Sequence, residues 1–194
     1  YEEMLEMSST GAKVLQTRSV ELAMKSNLTL QVLSSFTNQK GTYVVNENEL
    51  IENEIVSGVS YSKNESKITI SGIPDKPGIS ALVFGLMASN NINVDMIVQN
   101  ISQDGINANI TFTVPNNELE ESKKIIEEKY DELNYSNLST DSDIAKISVV
   151  GMGMMSQSGV AEKMFTTLAK NKINIQAIST SEIKISVLIK KIYT

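Results

Sequence analysis

Two loops in the chain hold residue types able to grip a small charged molecule: Asp75-Lys-Pro-Gly-Ile-Ser80 and Met155-Ser-Gln-Ser-Gly-Val-Ala161. Each leads into a segment with helical apolar spacing, and each places a glycine where that helix would open. A glycine there lets the backbone approach a ligand with no Cβ in the way. The unpaired N–H groups of a first helical turn, at the positive end of the helix dipole, favour a carboxylate. After each helix, Asn93-Val-Asp95 or Asn174-Ile-Gln176 would start the next strand and could face the loop. An amino acid's carboxylate would then sit on the helix N-terminus while Asp75 or Asp95 holds its ammonium. The same residues admit a plainer reading, in which Asp75 caps the helix, Pro77 sits near its first position and the glycine makes a turn. Met152, Met154 and Met155 cluster in the second loop and either line an adaptable pocket or pack against a sheet.

Other chemistry is excluded by what the 194 residues lack. There is no Cys and no His, which removes disulfides, thiolate nucleophiles and the commonest zinc ligand and general base. No GxxxxGK[ST] loop is present, and no GxGxxG follows a strand. The acids Glu118, Glu120, Glu121, Glu127 and Glu128 fall on one charged helical segment and suit a solvated face. A net charge of −6 and a 5% aromatic content make a nucleic-acid partner unexpected. No apolar run approaches the roughly 18 residues of a membrane span and no signal peptide is visible, so the expected location is cytoplasmic.

The two loops belong to a repeat. Lys67-Ile-Thr-Ile-Ser-Gly72 aligns with Lys146-Ile-Ser-Val-Val-Gly151, and Gly78, Phe84, Ala88, Asn90, Ile92, Asn93 and Ile97 recur as Gly159, Phe165, Ala169, Asn171, Ile173, Asn174 and Ile178. Each copy reads as strand, glycine-bearing loop, helix and two more strands. Leu82, Val83, Leu86 and Met87 mark one helical face, and Val160, Met164, Phe165 and Leu168 the matching one. Asn90-Asn91 and Asn171-Lys172 end these helices, asparagine being at ease in a left-handed C-cap. Strands are expected at Asn93–Val98 and Asn174–Ser179, then at Ala108–Val114 and Ile183–Ile189. The first copy adds a helix from a capping signal at Asn117-Glu-Leu-Glu120 to about Leu133. The order is βαββα, which a fourth strand completes as a split βαββαβ sandwich. In the second copy the chain offers no residues for that second helix. Glu54–Ser62 supplies an extra strand to either copy.

The first 45 or so residues differ in character. Glu2–Ser9 and Ala12–Ser26 read as helices broken at Gly11, Leu28–Phe36 as a strand, and Asn38–Gly41 as a turn. Glu47–Glu54, with four acids, reads as a linker.

These residues resemble a known family. Gly72-Ile-Pro-Asp-Lys-Pro-Gly78 and Ile92-Asn-Val-Asp-Met-Ile-Val-Gln-Asn100 look like the first of the paired regulatory ACT domains of aspartate kinase. Val150-Gly-Met-Gly-Met154, Gly159-Val-Ala161 and Ile178-Ser-Thr-Ser-Glu-Ile183 look like the second. Tyr1–Val45, with Gly11-Ala-Lys-Val-Leu-Gln-Thr-Arg-Ser-Val20 and Ser34-Ser-Phe36, looks like the last part of that enzyme's kinase domain.

The resemblance implies an α+β chain: two tandem ferredoxin-like βαββαβ ACT domains preceded by a short α/β remnant of an amino-acid-kinase domain. The expected divisions are residues 1–45 for the remnant, 46–66 for linker and extra strand, 67–140 for the first ACT domain and 141–194 for an incomplete second one. It implies feedback control of aspartate-family amino-acid synthesis, with L-lysine and/or L-threonine as effector and a homodimer formed through the ACT domains. The first site would be lined by Asp75, Lys76, Pro77, Gly78, Ile79, Ser80, Asn93, Val94, Asp95 and Gln99, with Val160, Ala161, Asn174, Ile175, Ser181 and Glu182 from the second copy. Met155 and Gln157 depart from the family pattern. The chain lacks the nucleotide-binding part, so no catalytic residue, metal or cofactor is expected in it, and it should not phosphorylate aspartate alone. ATP and magnesium belong with the missing kinase domain, its expected partner. The other reading is an ACT dimerisation module that binds no ligand.

Overall fold

A computed structural model describes residues 1–46, 55–102 and 105–194. The expected linker at Glu47–Glu54 lies outside the described residues. The elements are α1 (Glu2–Ser9), α2 (Thr17–Lys25), β1 (Leu30–Val32), β2 (Thr42–Val44), β3 (Gly58–Pro74), α3 (Ile79–Ser89), β4 (Asp95–Ile101), β5 (Asn107–Val114), α4 (Leu119–Glu128), α5 (Tyr130–Leu133), β6 (Asn137–Val150), α6 (Val160–Lys170), β7 (Ala177–Thr180) and β8 (Lys184–Lys190). Strands β1 and β2 form an antiparallel pair, and the others hydrogen-bond in the order β4-β5-β3-β6-β8-β7. The chain is α+β with two copies of the ferredoxin-like pattern, as the repeat requires.

Two compact units divide it. One holds Tyr1–Ser62, Ile147–Ile173 and Thr180–Val187; the other holds Lys63–Lys146, Asn174–Ser179 and Leu188–Thr194. The strand expected from Glu54–Ser62 begins at Gly58, and its residues up to Ser62 fall in the unit that contains α6.

In the Lys63–Lys146 unit, alternation decides the core. Ile68 and Ile70 on β3 face Phe112 and Ile110 on β5, and all four are fully buried. A register shift between Ser71 and Ile73 then advances the inward position by one, so Ile73 is also buried. Helix α3 covers this sheet with Ile79, Val83 and Met87, and α4 adds Leu119 and Ile126. Burial of such side chains stabilises by about 1.5–3 kcal/mol each. The Phe84 and Phe112 rings meet edge to face at 5.4 Å.

The expected single helix from Asn117 is broken at Lys129 into α4 and α5, and neither α4 nor the 3-10 turn before it has a side-chain cap. The nearby Asn116 instead accepts from the Ser66 hydroxyl at 2.7 Å and donates to the Lys63 carbonyl at 3.1 Å. The strands after α3 and α6 begin later than expected, at Asp95 and Ala177, which leaves Asn93, Val94 and Asn174 to Gln176 in loops.

In the other unit, α2 starts at Thr17 rather than Ala12, because Lys13, just after Gly11, takes a left-handed conformation at φ +53 that a helix does not admit. The strand expected over Leu28–Phe36 shrinks to β1. Tyr1, Val20, Ala23 and Val44 make a small core there. Helix α6 repeats α3 in length and in its glycine start, yet buries no residue fully. Val160, Met164, Phe165 and Leu168 stay half-buried.

Candidate functional site

The duplicated helix mouths are real in backbone geometry. Gly78 and Gly159 are the N-caps of α3 and α6, with φ +93 and +100, and neither supplies a side-chain cap. Both helices are eleven residues long, and the left-handed residue after each falls at Asn91 (φ +57) and Lys172 (φ +58). Asp75 therefore does not cap α3. Its backbone N–H donates to the Ile106 carbonyl at 2.9 Å.

At the α3 mouth an open cavity of about 480 Å³ is lined by Asp75 to Ala81 and Gln99. Seven of the residues expected at a ligand site thus meet there: Asp75, Lys76, Pro77, Gly78, Ile79, Ser80 and Gln99. The Ser80 hydroxyl donates to Gln99 Oε1 at 2.6 Å, tying helix start to strand β4. A carboxylate from Asp75, an ammonium from Lys76 and the first-turn N–H groups give the cavity what a zwitterion needs. A Cβ added at Gly78 would meet nothing within 4 Å, so the space in front of this turn is open.

Asn93, Val94 and Asp95 do not line the cavity. Val94 packs on the core, and Asp95 is engaged by protein. Its Oδ2 accepts from Lys146 Nζ at 2.6 Å and its Oδ1 from the Met96 N–H at 2.7 Å. Glu65 lies 2.9 Å from the same ammonium. Lys146 is 5% exposed and Glu65 12%. Burial pulls the Lys146 pKa down, but the Glu65 and Asp95 carboxylates outweigh it and hold it above the ordinary lysine value.

The repeat explains this arrangement. Lys67 takes the place of Lys146 in the first copy, and Gln176 takes the place of Asp95 in the second. Lys67 Nζ donates to Gln176 Oε1, so each copy's lysine reaches the other copy's post-helix residue. Sequence reasoning missed the crossing, although the paired spacing of Lys67 with Lys146 and of Asp95 with Gln176 carried the signal. Met96 follows Asp95 with φ +46 at a bulge between Asp95 and Val98, which sends its side chain into a second small core with Ile144 and Leu188.

In the second copy, Val160 and Ala161 open α6 and are half-buried. Ser181 and Glu182 are exposed in the turn between β7 and β8, where the Ser181 N–H donates to the Lys184 carbonyl at 2.8 Å. Asn174 is exposed and Ile175 half-buried in the loop before β7.

The fold is that of a known class. The ACT domain family matches residues 65–130 and 147–194, and the chain belongs to it. Within that family it belongs with the regulatory regions of aspartate kinase. An aspartate kinase of Pseudomonas putida is 48% identical over the whole chain. The regulatory subunit of aspartate kinase from Thermus thermophilus, solved in a ligand-free form, is 37% identical, with a TM-score of 0.67 over 72% of this chain and 91% of that one. A structure of aspartokinase alpha and beta subunits is 43% identical, also with a TM-score of 0.67, over 72% and 90%. The chain spans 47% of the length of the P. putida kinase. No helix among the described residues is long and apolar enough to cross a membrane.

Proposed function

We propose that the chain is the regulatory part of a cytoplasmic aspartate kinase, an enzyme converting ATP and L-aspartate to 4-phospho-L-aspartate, and that it binds lysine and/or threonine to inhibit that step. The observation that carries this reading is the cavity at the α3 mouth. Its lining joins an uncapped first helical turn to the side chains of Asp75, Lys76, Ser80 and Gln99. The α-carboxylate sits on the first-turn N–H groups and Asp75 takes the ammonium. Residues 67–140 and 141–194 act as the paired ACT domains, and residues 1–45 as the end of the catalytic domain. ATP and magnesium bind elsewhere, in the catalytic part.

Calorimetry and thermal shift with millimolar lysine or threonine test it. At least one amino acid should raise the melting temperature, and Asp75→Asn should weaken binding about tenfold or more, since a hydrogen bond to a charged group contributes about 1.5–3 kcal/mol. Gly78→Ala should cost about 1–2 kcal/mol of stability, the strain of a left-handed non-glycine residue, and should weaken binding by disturbing the helix start that lines the cavity. No response to either amino acid would favour the alternative, a dimerisation module without a ligand.

The dimer forms through the sheet edges. Strands β4 and β7 are the two edges, and they expose Ile97 and Ile178, which are repeat equivalents, at 50% and 43%. Exposed edges of this kind invite strand pairing. Sedimentation should show a dimer that Ile97→Lys converts to monomer; an unchanged dimer would place the interface elsewhere.

A further inference from the structure

We propose that Glu3 is the residue through which the loop opening α6 acts on the kinase-like segment of the chain, a step that rests on the regulatory reading above. A single carboxylate oxygen, Glu3 Oε1, accepts from the Met152 backbone N–H at 2.7 Å and from the Ser57 hydroxyl at 2.5 Å. Met152 starts the 3-10 turn Met152–Met155, and that turn leads to Gly159 and α6. An ionised acceptor makes both bonds stronger than neutral ones.

Further contacts fasten the same helix. Glu6 pairs with Lys184 at 2.7 Å, with the two side chains only 28% and 21% exposed. The Thr10 and Ser60 hydroxyls meet at 2.6 Å in a buried setting. The end of the Met7 side chain lies over Gly58. Helix α1 is thereby held to Ser57–Ser60, to the Met152 turn and to Lys184, all within its own compact unit.

Helix α1 also packs with the rest of the kinase-like segment, of which it is part. Met4 and Leu5 pack against the core of Tyr1, Val20, Ala23 and Val44. A cavity of about 310 Å³ beside the helix is lined by Glu3, Met4, Met7, Val14, Tyr43 and Ser57 among others, so free volume reaches the Glu3–Ser57 contact itself. No residue of α1 itself is fully buried. The helix is thus gripped by directional polar bonds at the loop and borders free volume that reaches the same residues. A displacement of the Met152 turn is passed to α1 through the Glu3 bonds, and the free volume beside the helix leaves it room to follow. Met155, Ser156, Gln157 and Ser158, all exposed, link that turn to the α6 mouth, the repeat equivalent of the α3 mouth, and an effector seated at this second mouth would start the displacement.

The experiment uses the whole enzyme, with this chain joined to its catalytic part. Lysine and threonine binding is measured by calorimetry, and inhibition of aspartyl-phosphate formation is measured on the same preparations. Glu3→Gln keeps the side chain's shape and removes its charge. The effector affinity should stay within about twofold, while the effector concentration for half inhibition rises about tenfold, within the 5- to 150-fold span of typical coupling. Ser57→Ala should shift it in the same direction by less. Amide exchange at Met152 should quicken in Glu3→Gln, a readout that does not depend on activity. A wild-type enzyme that binds neither amino acid overturns the regulatory reading and this one together. A responsive wild type beside a Glu3→Gln enzyme inhibited equally well, or one that loses binding in step with inhibition, overturns this assignment alone.

Discussion

Lys146→Met is expected to destabilise the Lys63–Lys146 unit by about 3–5 kcal/mol, the usual cost of removing one partner from a buried ion pair. The ammonium is 5% exposed and is shared by Glu65 at 2.9 Å and Asp95 at 2.6 Å. Without it, Glu65, 12% exposed, keeps a charge that water scarcely reaches. Asp95 is 56% exposed and can turn to solvent, so the penalty falls mainly on Glu65. Replacing both members by apolar residues, Lys146→Met with Glu65→Leu, should return stability to within about 1 kcal/mol of the wild type, because a well-packed hydrophobic pair is often equivalent to a buried ionic one.

The repeat supplies an internal control. Lys67→Met, at the equivalent place, should cost less than about 1 kcal/mol, since Lys67 is 21% exposed and its carboxylate, Asp141, stands 3.9 Å away. Burial lowers the Lys146 pKa but its carboxylates raise it further, so the net folded-state value lies above the unfolded one. The stabilisation is then fully present below the ordinary lysine value of about 10.4 and is lost as pH rises beyond it. Urea unfolding followed by circular dichroism should give a wild-type to Lys146→Met difference that is flat from about pH 6 to 9. A single-variant loss below about 1 kcal/mol, or a double variant no better than the single, would contradict the buried-pair account.

The repeat was legible because identical residues at a nearly constant offset fix both helices and both glycine caps; of the left-handed exits only Asn91 is the expected asparagine, the second being Lys172 while Asn171 stays at φ −91. Strand starts were less legible. Asp95 begins β4 through a bulge at Met96, and a non-glycine residue with positive φ leaves no mark in an apolar pattern. The role assigned to Asp95 illustrates a second limit. The sequence shows a carboxylate ready for an ammonium, but not that the ammonium is the chain's own Lys146.

Glycines mark a third limit. Gly72 and Gly151 are aligned copies with different reasons to be glycine. Gly72 has φ +67, whereas Gly151 is extended at φ 176 and lacks room for a Cβ beside the Ile55 carbonyl and Val56. Close approach by a remote segment has no local signature. The same holds for Glu3, whose partners Ser57 and Met152 are distant in sequence.

Phe112→Ala should cost about 3–5 kcal/mol, the range for deleting a large aromatic side chain from a core. Phe112 is 0% exposed on β5, opposite Ile68 of β3, and its ring meets Phe84 of α3 edge to face at 5.4 Å. Its neighbours cannot easily close the hole, because Ile68, Ile70, Val83 and Met87 are themselves fully buried and held by strand register or helix. Phe84 is half-buried, so Phe84→Ala should cost less, and the double-mutant coupling should be about 0.5–1.5 kcal/mol for the ring pair. Phe112→Leu should recover much of the loss by refilling volume. A loss below about 1.5 kcal/mol for Phe112→Ala would mean that the core relaxes around the gap.

The consequence reaches the mouth of α3. Ile79, the first residue of the helix, is buried in the same core at 2% exposure, and Gly78 directly precedes it. A core that holds α3 in place also aims the first-turn N–H groups at the cavity. Phe112→Ala should therefore weaken the lysine or threonine response along with stability, whereas Lys67→Met should leave it intact, since Lys67 does not line the cavity.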